Sequence, residues 1–402
     1  MEVINLKGYS GYNTYWTDLS FDDSRVLFTQ KKENEIRGFP IESVICHHLH
    51  NNVTENFELP QTNVFTLSST SSSATLYYAD YSNTTDDILF YKLDCRRLES
   101  QYIFKLNINE LFGNTLQVRD LEGIISFLCS HINIIGIDDR YMILNYEVEQ
   151  GNYKVQKHWN IIDSMYGAMT TFPPEALMDH IQTINLWCNN DVTYLIFKTG
   201  QYSAKEKEYK WKNKYSEVSS EKGLIEEELI IIDSEKFIDH IRKGELPLKK
   251  YSIASCTEKS ALMSYSYLQN KIVYFKHLFE IDSTSITSYN PSDSSEEKII
   301  IKELHSRIFT CGNKYYSFRD CYFNEHEELT IIDLLSNKIV FQEESKERFL
   351  CGTNQAIFTY IYLDNGNLRV SSRDYNKRGE KVVGEGRVVF VDQQRHCILI
   401  IE

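Results

Sequence analysis

The sequence predicts an all-β chain built from repeated four-stranded antiparallel units. Three observations predict it. Tyr and Phe number 27 and 21 against 6 Pro, a bias toward residues that suit pleated, half-buried surfaces. A short apolar run closed by Asp or Asn and then a turn-like stretch recurs along the chain. Upstream of several copies, two strand-like runs flank a tight turn marked by Cys.

The copies run in order. "SVICHHLHN" (43–51) is a weak first one, followed by "ILFYKLD" (88–94), "KHWNIID" (157–163), "ELIIID" (228–233), "ITSYN" (286–290), "ELTIID" (328–333) and "LRVSSRD" (368–374). The short side chain of Asp or Asn bonds backbone two residues on, so each closing residue is predicted to open a turn. Paired runs at 184–197, 307–318 and 348–361 carry Cys188, Cys311 and Cys351 at one place in the repeat; the last copy, 387–401, has Asp392 there. A fourth strand follows at 338–344 and again at 380–386.

Each unit therefore reads strand, tight turn, strand, loop, strand, turn, strand, which is the pattern of a β-propeller blade. Asn290, Asp333 and Asp374 fall about 40 residues apart, while Asp94, Asp163 and Asp233 fall about 70 apart, which implies insertions. The final copy stops after two strands and "EVINLKG" (2–8) reads as a third. The N- and C-terminal strands are thus expected to share one blade and close the ring, leaving no free sheet edge. This gives eight blades, or seven if one weak copy is an insertion. Two β-sandwiches are the competing architecture, since many short strands with regular turns fit those too; Cys and Asp at fixed places in the repeat favour the propeller. Residues 1–402 are expected to form a single propeller domain with rim or loop insertions near 107–129, 170–182 and 203–228. The first could hold a short helix, and a helix-length stretch follows Pro173-Pro174 in the second.

On these residues the chain resembles the β-propeller superfamily, in the broad sense that includes WD40 and YVTN-type repeats. "DLSFDDSRVLF" (18–28) is similar to the Ser-Pro-Asp-Gly hairpin of many blades, with Asp22-Asp23 where that motif has Asp-Gly. The "IID" at strand ends is similar to the Val-Val-Asp of YVTN-type blades. The resemblance spans nearly the whole chain and is generic. No Trp-Asp closes a blade, no Gly-His opens one, and no sialidase-type box occurs. It carries over no functional residues.

A formal net charge of −14 argues against a general affinity for nucleic acid or anionic lipid. No run approaches the roughly 18 apolar residues of a membrane helix. The first residues carry neither the basic nor the apolar region of an export signal. The 9 cysteines, odd in number and without a CxxC, fit reduced thiols, so a cytoplasmic protein is expected.

Two clusters carry chemistry. In "ICHHLH" (45–50), Cys46, His48 and His50 would share one strand face, and a thiolate with two imidazoles suits zinc; no fourth ligand is apparent, and a polar strand face is the plainer reading. In 203–215, Lys205, Lys207, Lys210 and Lys212 interleave with Tyr209 and Trp211, a pattern that could grip single-stranded RNA by phosphate contact and stacking. The acidic run Glu226–Glu228 follows at once, which favours a solvated hairpin with Trp211 as a protein contact. "NEHEEL" (324–329) lacks the second His of a zincin helix, and there is no phosphate-binding or dinucleotide-binding glycine pattern. The expected function is a non-catalytic scaffold or adaptor that binds one or more proteins, with no cofactor. A metal-assisted hydrolase or lyase with a site in the central channel, and RNA binding through 203–215, are the alternatives.

Overall fold

The computed structural model describes residues 2–6, 25–31, 41–48, 51, 53–70, 75–113, 120–149, 155–173, 181–189, 192–203, 209–212, 217–220, 223–257, 259–268, 270–302, 305, 307–311, 314–320, 328–353, 355–375, 379–386, 388–392 and 397–401. The chain divides into two compact units: Met1–Ser10 with Gly200–Leu229 and Ile253–Glu402, and Gly11–Thr199 with Ile230–Ser252.

In the second unit, Arg25–Lys31, Ile41–His48 and Val53–Glu58 form an antiparallel meander. The single bridge Ile41↔Val64 joins it to a four-stranded meander of Val64–Ser69, Thr75–Ser82, Asp87–Asp94 and Glu99–Asn107. The next meander is Ile132–Gly136, Tyr141–Glu149, Val155–Asp163 and Ala168–Thr171. Ile181–Asn189 then pairs with Val192–Ser203. In the first unit, three four-stranded meanders follow in order, over 260–302, 308–344 and 348–386. With the sheet of the chain ends, these make eight blade-like groups among the described residues. The fold class is all-β, and successive four-stranded antiparallel meanders are the blades of a β-propeller.

The two chain ends share one sheet, as the sequence predicts. Glu2–Leu6 pairs with Cys397–Ile401, which pairs with Val388–Asp392. The terminal rungs are parallel, from Glu2↔Cys397 to Leu6↔Ile401. Parallel rungs still satisfy the backbone groups, and the pairing buries Ile4, Ile398 and Ile400. Gly384 lets this sheet approach: a Cβ there would strike Asn5 and Ile400, and Asn5 Nδ2 donates to the Val383 carbonyl at 3.3 Å.

The closing aspartates behave as turn openers. Asp94, Asp163, Asn290 and Asp333 each accept the backbone N–H two residues on, at 2.9–3.1 Å. Asp233 does the same to Glu235, at 2.8 Å, but there it caps a helix, Ser234–Arg242, whose Phe237, Ile238 and Ile241 are buried. Within 107–129 the structure forms two helices, α1 (Ile108–Phe112) and α2 (Leu121–His131). The latter buries Ile124, Ile125 and Leu128 against Phe65, Tyr77 and Met142. We number the capped helix 234–242 as α3. Within 170–182, Thr170–Thr171 and Ile181–Gln182 are strand, and 174–180 lie outside the described residues. Among the described residues no helix is long and apolar enough to cross a membrane, and no disulfide joins the described cysteines.

Candidate protein-contact surface

The four-stranded meander over 132–171 presents a turn, Asp163–Ala168, in which Met165 and Tyr166 are exposed, and Met169 is exposed just after it. Met165 is 66% exposed, Tyr166 73% and Met169 45%. Apolar side chains left in water at a turn need a reason, because such positions ordinarily carry polar residues.

The turn is held from several directions. Ser164 N–H donates to the Arg140 carbonyl at 2.7 Å, and Tyr166 N–H to the Asp163 carbonyl at 3.2 Å. The buried Ser164 Oγ lies 3.3 Å from the Tyr77 hydroxyl, which donates to the Asp138 carbonyl at 2.9 Å. Asp138 Oδ1 in turn accepts the N–H groups of Arg140 and Tyr141, both at 2.7 Å. Gly167 lies in the left-handed region, at φ +62°, and a Cβ there would come within 2.8 Å of the Ile103 carbonyl oxygen. Gly167→Ala is therefore expected to destabilise the fold by about 1–3 kcal/mol, read as a shift in the denaturant midpoint; an unchanged midpoint would contradict this turn geometry.

Arg140 organises the surface. Its Nε–H and Nη2–H donate to the Asp163 carboxylate at 3.0 and 2.7 Å, a fork-to-fork pair. Burial alone would raise the Asp163 carboxyl; the Arg140 bonds and the Met165 N–H more than offset it and hold the group below the ordinary carboxylate range. The same bonding raises the Arg140 guanidinium. The guanidinium lies 5.4 Å from the centroid of the Tyr166 ring and 5.1 Å from that of Tyr141. Arg242, in the last turn of α3, lies 5.2 Å from the Tyr141 ring and donates to its hydroxyl. Two guanidinium groups and two tyrosines are thus pre-oriented around one exposed methionine turn. Arg, Tyr and Met are the side chains enriched where proteins bury surface against one another.

Sequence reasoning missed this surface. The available signal was local: Met165 and Tyr166 stand beside Gly167 in a turn, where polar residues are expected. Of the residues singled out earlier, Lys205 and Lys207 lie outside the described residues. Tyr209–Lys212 forms a hairpin with Glu217–Ser220, with Lys210↔Ser219, Trp211↔Val218 and Lys212↔Glu217. Cys46 and His48 share a strand face as expected, with Sγ 3.8 Å from Nε2, and His48 Nε2 lies 3.3 Å from Glu55 Oε2. His50 lies outside the described residues, and among those described no three His, Cys, Asp or Glu side chains are grouped to hold a metal ion.

No protein-family model matches the chain, and no curated protein sequence does. Among solved structures, it is similar to a prolyl endopeptidase, at 8% identity over 93% of this chain and 50% of that one, with TM-score 0.47. It is also similar to the β-propeller domain of the Trilobed protease from Pyrococcus furiosus, at 11% identity over 96% of this chain and 88% of that one, with TM-score 0.35. Sqt1 of Saccharomyces cerevisiae matches at 8% identity over 90% of this chain and 84% of that one, with TM-score 0.40. The chain spans about half the length of the prolyl endopeptidase and of an acylaminoacyl peptidase that it matches, 50% and 48%. At these scores the likeness carries no argument about activity, and the blade assignment rests on the sheet order above.

Proposed function

We propose that the chain is a cytoplasmic protein-interaction scaffold built on propeller blades, and that Met165, Tyr166 and Met169 with Arg140 form one of its contact surfaces. The observation that carries the reading is an apolar turn that is exposed yet rigidly bonded. A surface already fixed in place loses little conformational freedom when a partner covers it. Its fit is to a protein face offering apolar side chains and backbone carbonyls, since the Asp163 carboxylate neutralises the Arg140 charge locally.

Site-specific photocrosslinking tests this. A benzophenone side chain at position 166 is expected to give a covalent adduct of one discrete size in cell extract, and Met165→Ser in the same chain is expected to abolish it. The control position is 382, an exposed valine of another blade. No adduct from position 166, or the same adducts from both positions, would refute the assignment.

A further inference from the structure

Within the unit that holds this surface, other residues line a half-open cavity of about 440 Å³. One wall is a face of the four-stranded meander over 132–171. There Asn145 lies between Asn133 and Trp159 across three strands, and Glu147 pairs in register with Lys157 on the same face two residues on. The start of strand Ile181–Asn189 and the last residues of α2, Cys129–His131, also line it.

The wall is rich in acceptors. Asn145 is only 8% exposed; its Nδ2–H donates to the His158 carbonyl at 3.2 Å, and its Oδ1 has no partner among the described residues. His131 Nδ1 lies 2.8 Å from the Phe127 carbonyl, which can only accept, so Nδ1–H donates there, and in the tautomer this bond selects Nε2 accepts. The carboxyl-terminal end of α2 adds the negative pole of its backbone dipole. Glu147 and Lys157 bring one charge of each sign, 3.3 Å apart, longer than the about 2.7–2.9 Å of a close charge-assisted bond. Ile135, Ile181 and Ile184 supply an apolar margin.

We propose that this cavity binds a small zwitterionic amine of the free amino-acid class. The ammonium group is held by Asn145 Oδ1, His131 Nε2 and the Glu147 carboxylate, and the carboxylate of the ligand by Lys157 Nζ. A simple cation would take Glu147 and strand Lys157, and a simple anion would do the reverse. A zwitterion replaces both halves of the loose ion pair at once, so no charge is left unpaired. This goes beyond the scaffold reading and does not depend on it.

Isothermal titration calorimetry on the full chain tests it with L-serine, L-glutamine and L-arginine as probes, and with methylamine and acetate as single-charge controls. At least one amino acid is expected to bind with a dissociation constant below about 1 mM. Each control is expected to bind at least about tenfold more weakly. Glu147→Gln and Lys157→Gln, both at partly exposed positions that tolerate substitution, are each expected to weaken the amino acid at least about tenfold with unchanged circular dichroism. Three outcomes would each overturn the proposal: no heat with any of the amino acids, a control that matches them, or undiminished affinity in both variants.

Discussion

Arg373→Met is expected to destabilise the chain by about 3–5 kcal/mol. Arg373 is buried in the blade over 348–386, where its guanidinium serves three carboxylates. Its Nε–H and Nη2–H donate to Glu347 at 3.1 and 3.0 Å, its Nη2–H also reaches Glu380 at 3.3 Å, and its Nη1–H bonds Glu343. Glu347 is itself buried and accepts the Thr359 hydroxyl, while Glu380 accepts that of Ser371. Removing the one cation leaves a buried carboxylate unpaired beside two more of like charge. The loss should therefore exceed what the lost bonds alone would give. Guanidinium unfolding of the single variant and of Arg373→Met/Glu347→Gln separates the two contributions. The double variant is expected to recover at least about 1 kcal/mol, because it no longer buries an unpaired charge at position 347. A single-variant loss below about 1 kcal/mol would contradict the network.

Acid acts on a second buried pair. His277 Nε2–H donates to the His305 carbonyl at 3.0 Å, and His277 Nδ1 and His305 Nε2 are buried without partners. Burial lowers both imidazoles, and nearby Arg319 helps to bring His305 down to about 4. Asp282 faces His277 and acts in the opposite sense. A histidine held neutral in the folded state keeps its full contribution above the unfolded value of about 6.5 and loses it as pH falls toward 4. For His305 alone the loss at pH 4.5 is about 2–3 kcal/mol. Asp80 runs the other way: burial raises its carboxyl to about 6, only partly offset by the Asn63 N–H, so its penalty is relieved over much the same acid range. The wild-type curve is consequently expected to be shallow. His305→Gln should gain about 2–3 kcal/mol on wild type between pH 7.5 and 4.5, and Asp80→Asn should shift the opposite way. Parallel stability curves for wild type and His305→Gln would show that this histidine is not held neutral.

How much of this was legible depends on the range of each interaction. The closing aspartates were readable because a carboxylate bonding the N–H two residues on is chemistry contained in three residues, and Asp94, Asp163 and Asp333 all do it. The same local signal misled at Asp233. A carboxylate that opens a turn also caps a helix, and only the burial of Phe237, Ile238 and Ile241 shows which. The contact surface was not legible, because Arg140 meets Asp163 across a strand pair and Arg242 reaches Tyr141 from another element. Registers between strands decide such meetings, and spacing along the chain does not. The cavity was hidden for the same reason: Asn145, His131 and Lys157 come to it from a strand, a helix and a second strand.

The parallel pairing of Glu2–Leu6 with Cys397–Ile401 has a mechanical consequence. Strands that run the same way place residue 2 and residue 401 at opposite ends of their shared ladder. A force that draws those two residues apart loads all the rungs at once, in shear, whereas an antiparallel seam pulled from the same strand ends would peel rung by rung. Stretched between its first and last strands in a single-molecule tether, the chain should therefore resist as a lap joint does and yield in one abrupt step.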